Sequence, residues 1–249
     1  MRLNDVNQIF ESISDRGIFK AVFVGGIPGA GKTSLLRTVI PSEIHPKIIN
    51  IDKFIEHNAP KRGYDLTQEL TPTQMILPKR MIKNQLVNYV NGMLPLVIDG
   101  TATHYPVVQR RIQSLNLVGY DTFILWVNTD LNVALARNAQ RTRQVDPEVI
   151  RDMSANSTES KARLHRSMPS NFYEIDNSGD TPPEEQLSTA SKKIRQFFTS
   201  PVENPRGQQI IHNLKQTGDK YLTPNIMTLD ELHDMLNFWF VKSVNPGDH

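Results

Sequence analysis

The apolar positions fall into short runs separated by longer amphipathic stretches. Five runs have the length and the β-branched or aromatic character of buried strands: 19–24, 47–51, 95–98, 121–127 and 172–175. Between them, apolar residues recur at three- and four-residue spacing, which predicts helices. One begins near Lys32. One starts at Thr71-Pro72 and runs to about Asn91, with Pro78 as a kink site. Others are expected near 105–115, through Leu131, Val133, Ala134 and Leu135, from Val145-Asp146-Pro147-Glu148 onward, and over 184–198. Residues 1–16 read as a short amphipathic helix stopped by Gly17, and 55–71 read as polar and irregular.

Strands that alternate with helices imply βαβ units and a parallel sheet covered on both faces. The expected fold class is therefore α/β, a three-layer sandwich about a central parallel sheet. Composition shifts at Ser200-Pro201-Val202-Glu203-Asn204-Pro205, which reads as a linker. It divides the chain into a main domain, 1–199, and a small helical extension, 200–249. The extension is expected to hold helices at 206–216 and 228–242, the second with Leu229, Leu232, Met235, Leu236, Trp239 and Phe240 on one face.

Bulk composition narrows the classes. With 249 residues the chain can bury one sizeable core. It carries 28 basic and 26 acidic residues, a net charge of +2, so whole-molecule attraction to nucleic acid is not implied and any such contact needs a local basic patch. There is no cysteine, which excludes disulfides and cysteine-ligated zinc. The first twenty residues hold no apolar run, and nothing approaches the roughly 18 apolar residues of a membrane span. The expectation is a soluble, cytoplasmic protein with no membrane partner.

The residues with chemical character cluster just after the predicted strands. Gly26-Ile27-Pro28-Gly29-Ala30-Gly31-Lys32-Thr33 matches G-x-x-x-x-G-K-[ST] and lies between a strand and a helix, as a P-loop must. Gly26, Gly29, Ala30, Gly31, Lys32, Thr33 and Ser34 are thus expected to hold the phosphates of ATP. Backbone N–H groups and a helix N-terminus would face the anion, and Thr33 would ligate Mg²⁺. Asp52 follows the second strand, where a carboxylate can take a proton from an attacking hydroxyl; it also reads as a helix N-cap. Asp99 ends the third strand, where an acid can hold Mg²⁺ directly or through water; it also reads as a turn aspartate before Gly100. Thr101 and Thr103 follow as candidate substrate contacts. Arg137, Arg141 and Arg143 lie in a helix–basic loop–helix unit at about 137–147 that suits a lid over a transferring phosphoryl group, with Arg137 and Arg141 expected on one helical face. Lys61, Arg62, Lys79, Arg80 and Lys83 give 55–85 local positive charge, with Arg62 and Arg80 as candidate substrate contacts; Tyr64 and Tyr105 offer rings that can stack on a base.

Four stretches together resemble one branch of P-loop kinases, which holds the phage polynucleotide 5′-kinase domain, the zeta-toxin kinases and phage kinases of hydroxymethyluracil in DNA. They are "GIPGAGKTS", "NIDKF" at 50–54, "VIDGTATH" at 97–104 and "ARNAQRTRQVDPEVI" at 136–150. The resemblance covers about residues 18–198. It implies a P-loop NTPase fold and ATP with Mg²⁺ as cofactors. It implies Asp52 as the general base, Lys32 and Thr33 as phosphate and Mg²⁺ residues, and Arg141 as the lid arginine on the γ-phosphate, with Arg137 and Arg143 beside it. Two departures stand out. Ile55 occupies the position where family members often carry an arginine for the acceptor's phosphate. The lid reads Val145-Asp146-Pro147, one residue longer than the commoner valine-proline.

The expected activity is transfer of the ATP γ-phosphate to a hydroxyl of nucleic acid, DNA above all, or of a nucleotide. The preferred acceptor is the hydroxymethyl group of 5-hydroxymethyluracil in phage DNA, because no phosphatase or ligase segment accompanies the kinase and Ile55 marks an altered acceptor site. The alternatives are a polynucleotide 5′-hydroxyl kinase, a zeta-toxin-like sugar-nucleotide kinase, and a P-loop ATPase that transfers nothing.

Overall fold

Alternation along each strand divides the interior into two apolar layers. The structure, a computed structural model, describes residues 16–58, 60–65, 70–141 and 143–217. The stretch before Arg16 and the helix expected over 228–242, Trp239 included, lie outside the described residues. Five strands form: β1 (Lys20–Gly25), β2 (Lys47–Ile49), β3 (Leu96–Asp99), β4 (Asp121–Asn128) and β5 (Phe172–Asp176). All pairings are parallel, in the order β2-β3-β1-β4-β5. Parallel neighbours need crossovers, and helices supply them. These are α1 (Lys32–Val39), α2 (Ile51–Asn58), α3 (Pro72–Asn91), α4 (Tyr105–Leu117), α5 (Leu131–Ala139), α6 (Pro147–Ser167), α7 (Glu184–Thr199) and α8 (Pro205–Thr217).

Ala21, Phe23, Leu96, Ile98, Ile124 and Trp126 face one layer, with Leu86 and Val90 of α3, Ile112 and Leu115 of α4, and Leu164 of α6. Val22, Val24, Val97, Phe123, Leu125 and Val127 face the other, with Leu35 and Leu36 of α1 and Ile194 and Phe198 of α7. The sheet is therefore buried on both sides, and the expected three-layer α/β sandwich of P-loop NTPase type is the observed one.

Three local readings change. The second strand ends at Ile49, and the chain turns at once into α2. Asn50 Oδ1 accepts the Lys53 N–H at 2.9 Å, so Asn50 is the cap and the N-cap reading of Asp52 is displaced. The region read as irregular from 55 thus begins inside a helix, whose Ile55 is buried against Leu70. At the start of α3 a capping box forms: Gln74 N–H donates to Thr71 Oγ1 at 3.3 Å, and Thr71 N–H donates to Gln74 Oε1 at 2.8 Å. Pro78 lies inside α3 on its buried side, and the helix runs on past it.

The stretch after α7 is fastened to the end of the sheet away from the glycine loop. Lys20, 1% exposed, donates through Nζ to Asp121 Oδ2 at 2.8 Å, Ser200 Oγ at 3.1 Å and Pro201 O at 2.9 Å. Asp121 also accepts the Glu203 and Asn204 N–H groups, each at 2.8 Å. A buried ammonium and carboxylate are tolerated because both are paired and saturated with hydrogen bonds. This network leads into α8, whose Ile210 and Leu214 join the first apolar layer with Val202.

Because Ile210 is 8% exposed within that layer, Ile210→Ala is expected to lower unfolding stability by about 2 kcal/mol. Urea denaturation measures it. A loss within experimental error would mean that α8 does not unfold with the sheet.

Candidate active site

The carboxyl ends of β1 and β3 lie side by side, with Val24 in register with Asp99. Gly26 N–H donates to Thr101 O at 2.8 Å and Gly100 N–H to Val24 O at 3.3 Å, which ties the start of the glycine loop to the turn after β3. The loop then closes tightly. Gly29 has φ +84°, and a Cβ there would lie 2.1 Å from Ala134 O. Gly31, the N-cap of α1, has φ +81°, and a Cβ there would lie 2.4 Å from Asn177 Nδ2. Neither position admits a side chain without moving backbone or an anchored amide. Ala30 is fully buried, and its carbonyl accepts from Asn177 Nδ2 at 2.7 Å and from Thr129 Oγ1 at 3.3 Å. The loop is thus held from β1, β3, β4 and the end of β5. Ser34 lies exposed in the first turn of α1.

Lys32 folds its ammonium back onto the loop, with Nζ donating to Gly26 O at 2.8 Å and Ile27 O at 3.0 Å. Burial of the charge brings its pKa down to about 8; Asp99 and Asp52 pull it back up, and Arg141 pushes it down. Lys32, Asp99, Asp52 and Arg141 therefore share one electrostatic neighbourhood. Thr33 Oγ1 donates to Asp99 Oδ2 at 3.1 Å. Asn50 Nδ2 donates to the same oxygen at 2.5 Å.

This donor set fits Mg²⁺ as such sites hold it. The ion takes one or two protein oxygens and fills its octahedron with water and phosphate. Thr33 and Asp99 are the residues that would hold it, and their oxygens already face each other. Among the described residues there is no cluster of three or more His, Asp or Glu to form an all-protein cage.

The unit read from sequence as a lid lies against α2. α5 ends at Ala139 and α6 begins at Pro147, with a short basic connection between them. Asn138, 2% exposed, spans it: Nδ2 donates to Val145 O at 2.7 Å and Oδ1 accepts the Val145 N–H at 3.1 Å. The connection then points its arginines at α2. Arg143 Nη1 meets Asp52 Oδ1 at 2.5 Å, and Arg141 Nη2 meets Glu56 Oε1 at 3.6 Å. Arg137 goes elsewhere, donating to Asn177 O at 2.8 Å and Gly179 O at 2.6 Å. The expectation that Arg137 and Arg141 share a helical face fails because the helix stops between them.

The candidate substrate contacts scatter. Arg62 and Arg80 are exposed, on a short 3₁₀ turn and on α3. Thr101 is half-buried and offers its carbonyl to the loop. Thr103 is 6% exposed, so its side chain is closed to substrate. Tyr105 has one ring face covered by the Arg163 guanidinium at 4.0 Å, and Tyr64 packs beside Ile55. Four residues at the site were not singled out from sequence: Asn50, Glu56, Asn138 and Asn177. Only Asn50 carries a local signal, as a capping-type residue before a helix. Among the described residues, no helix is long and apolar enough to cross a membrane.

Comparison with known proteins gives the following. A family profile described as an AAA domain matches residues 22–159. The chain is similar in structure to a candidate kinase from Chloroflexus aurantiacus, with 15% identity, 72% of this chain and 98% of that chain covered, and a TM-score of 0.50. It is also similar to a protein of the PezAT toxin–antitoxin system of Streptococcus pneumoniae, at 18% identity, 88% and 93% coverage and a TM-score of 0.48. A gluconokinase from Sinorhizobium meliloti aligns at 12% identity, 81% and 99% coverage and a TM-score of 0.43. The first likeness is one of fold. A search of curated proteins returns no match.

The lowered pKa of Lys32 has a consequence for stability. The unfolded chain keeps this proton up to the ordinary value of 10.5, while the folded chain releases it near 8. Over that interval the unfolded state binds more protons, so the contribution of Lys32 to stability rises with pH. Lys32→Met removes the contribution. From about pH 7.5 to about pH 9.5, the stability of the unaltered protein relative to Lys32→Met is expected to rise, as read by urea midpoints. A constant difference across that span contradicts the burial argument.

Proposed function

The chain belongs to the AAA domain family of P-loop proteins, and from that premise we propose that it is an ATP- and Mg²⁺-dependent kinase that phosphorylates a hydroxyl on nucleic acid. The observation that carries this reading is the meeting of Asp52 with the lid. One oxygen of Asp52 is held by Arg143 at 2.5 Å, yet the side chain remains 51% exposed. A carboxylate oriented by an arginine, open to solvent and within the electrostatic reach of the P-loop lysine, suits a general base toward a hydroxyl brought in from outside.

The chemistry follows from these positions. The loop amides and Lys32 hold the β- and γ-phosphates, and the acceptor O–H lies against the free oxygen of Asp52. As the acceptor oxygen bonds to the γ-phosphorus, the bond from phosphorus to the β–γ bridging oxygen breaks. The hydroxyl proton passes to Asp52, and ADP leaves. Thr33 and Asp99 would hold Mg²⁺, which would supply charge neutralisation for the phosphate oxygens. Arg141 swings from Glu56 to the equatorial oxygens of the transferring group, Arg143 stays on Asp52 and keeps it oriented, and Arg137, tied to two carbonyls, keeps a fixed positive charge beside Gly31.

Within this reading the acceptor is the hydroxymethyl group of 5-hydroxymethyluracil in DNA. Ile55, one turn on from Asp52, is buried at 2% exposure, so the residue in the place of an acceptor-phosphate arginine is a core residue. The neighbour on the open face of α2 is Glu56. The absence of a cation at position 55 suits a hydroxyl on a base better than one next to a backbone phosphate. Arg62 and Arg80, both exposed, are the side chains proposed to contact that backbone.

Labelled ATP offered in parallel to plain DNA, hydroxymethyluracil DNA, 5′-hydroxyl oligonucleotides and sugar nucleotides tests the acceptor. Label on the modified DNA is expected; label confined to 5′ ends or to sugar nucleotides would overturn the base-hydroxyl reading, and no transfer to any acceptor would favour an ATPase. Asp52→Asn is expected to slow transfer by about 10²–10⁴-fold while leaving ATP affinity within a few-fold. Transfer at the unaltered rate in that variant would remove Asp52 from the role of base.

A further inference from the structure

Asn50 spends both ends of its amide on groups that belong to different parts of the site. Its Oδ1 accepts the Lys53 N–H at 2.9 Å and so caps the helix that carries Asp52 and Glu56. Its Nδ2 donates to Asp99 Oδ2 at 2.5 Å. Asp99 stands at the end of β3, and its other donor is Thr33 of the P-loop at 3.1 Å. A continuous hydrogen-bonded chain therefore runs from Thr33 through Asp99 and Asn50 into the first turn of α2. No other side chain in it has both a donor and an acceptor committed across the two elements.

We infer that Asn50 is a positioning residue, which orients the Asp99 carboxylate toward Mg²⁺ and sets its register to the helix bearing Asp52. The inference rests on the kinase reading for the role of Asp99 but not on the identity of the acceptor. A carboxylate rotates about its last torsion at little cost, so its lone pairs point usefully only if an outside group holds them. Here a neutral amide N–H does so. It leaves the negative charge of Asp99 intact, which a lysine or arginine in the same place would cancel. The carbonyl end of the same amide cannot flip to face Asp99 without meeting a second oxygen and losing the cap, so the two bonds enforce one orientation.

Two substitutions separate the cap from the orientation. Asn50→Ser keeps a capping oxygen at the N-terminus of α2 and loses the reach to Asp99. Asn50→Asp also keeps the cap and places a second carboxylate where the amide donor stood. The readouts are the melting temperature and the Mg²⁺ concentration that half-maximally tightens binding of a fluorescent non-hydrolysable ATP analogue. For Asn50→Ser, a melting temperature near that of the unaltered protein is expected, with the Mg²⁺ midpoint raised about tenfold. For Asn50→Asp, the donor that holds Asp99 is replaced by a carboxylate that repels it, and the Mg²⁺ midpoint is expected to shift about tenfold. An unchanged Mg²⁺ midpoint in Asn50→Ser overturns the inference, as does a lowered melting temperature with Mg²⁺ dependence intact, which would leave Asn50 as a cap alone. If Asn50→Ser does not fold, Asn50→Asp is read in the same way, and an unaltered midpoint overturns the inference there. Analogue binding by the unaltered protein that does not respond to Mg²⁺ would overturn both this role and the metal role of Asp99. Failure to phosphorylate DNA would touch neither.

Discussion

One carboxylate oxygen joins the two halves of the site. Asp99 Oδ2 accepts from Thr33 at the start of α1 and from Asn50 at the start of α2. Those donors lie far from Asp99 in sequence and meet it only because β3 sits between β1 and β2. The strand order brings three carboxyl ends into one row, and each hands the site one group: the loop after β1, the acid at the end of β3, and the capped helix after β2. Remove that adjacency and the glycine loop is still a phosphate cradle, but it has no Asp99 beside it and no α2 carboxylates near it.

The site divides into two parts that are held by different kinds of contact. The loop is held by backbone bonds, by the buried Asn177 amide, and by glycines whose approach to Ala134 O and Asn177 Nδ2 leaves no slack. The lid is held differently. Asn138 fixes its base from within, but its tip is tied to α2 by two ion pairs. The Arg141–Glu56 pair, at 3.6 Å with both side chains more than a third exposed, is of a kind worth about 0–1 kcal/mol. Contacts this weak are exchanged readily when a polyphosphate with several negative charges offers itself. The Arg143–Asp52 pair, at 2.5 Å with the arginine side chain only 19% exposed, is the tighter of the two ties.

Much of this was readable in the chain because its cause was local. The sheet was legible because strands buried on both faces need unbroken apolar runs, as in 95–98 and 121–127. The P-loop was legible because its glycines, lysine and threonine must stand at fixed offsets. α2 was harder: with eight residues and one fully buried side chain, Ile55, it has too short an apolar period to stand out, and the capping signal at Asn50 was absorbed into the preceding strand. Arg137 was grouped with Arg141 because helical spacing was extended past the point where the helix ends. Ile55, read as a departure at the acceptor site, is also a core contact, because the packing of α2 against Leu70 buries its side chain.

By itself, then, the sequence determined the α/β alternation, the phosphate-binding loop and the set of charged residues that follow the strands, because each depends on neighbours within a few positions. The tertiary structure alone decided which of those residues meet. It paired Arg143 with Asp52, sent Arg137 to the carbonyls of Asn177 and Gly179, buried Thr103, and placed Asn50 between Asp99 and α2. Those outcomes hang on strand order and helix ends, where contacts form between segments tens of residues apart and no local pattern records which side chain will be opposite.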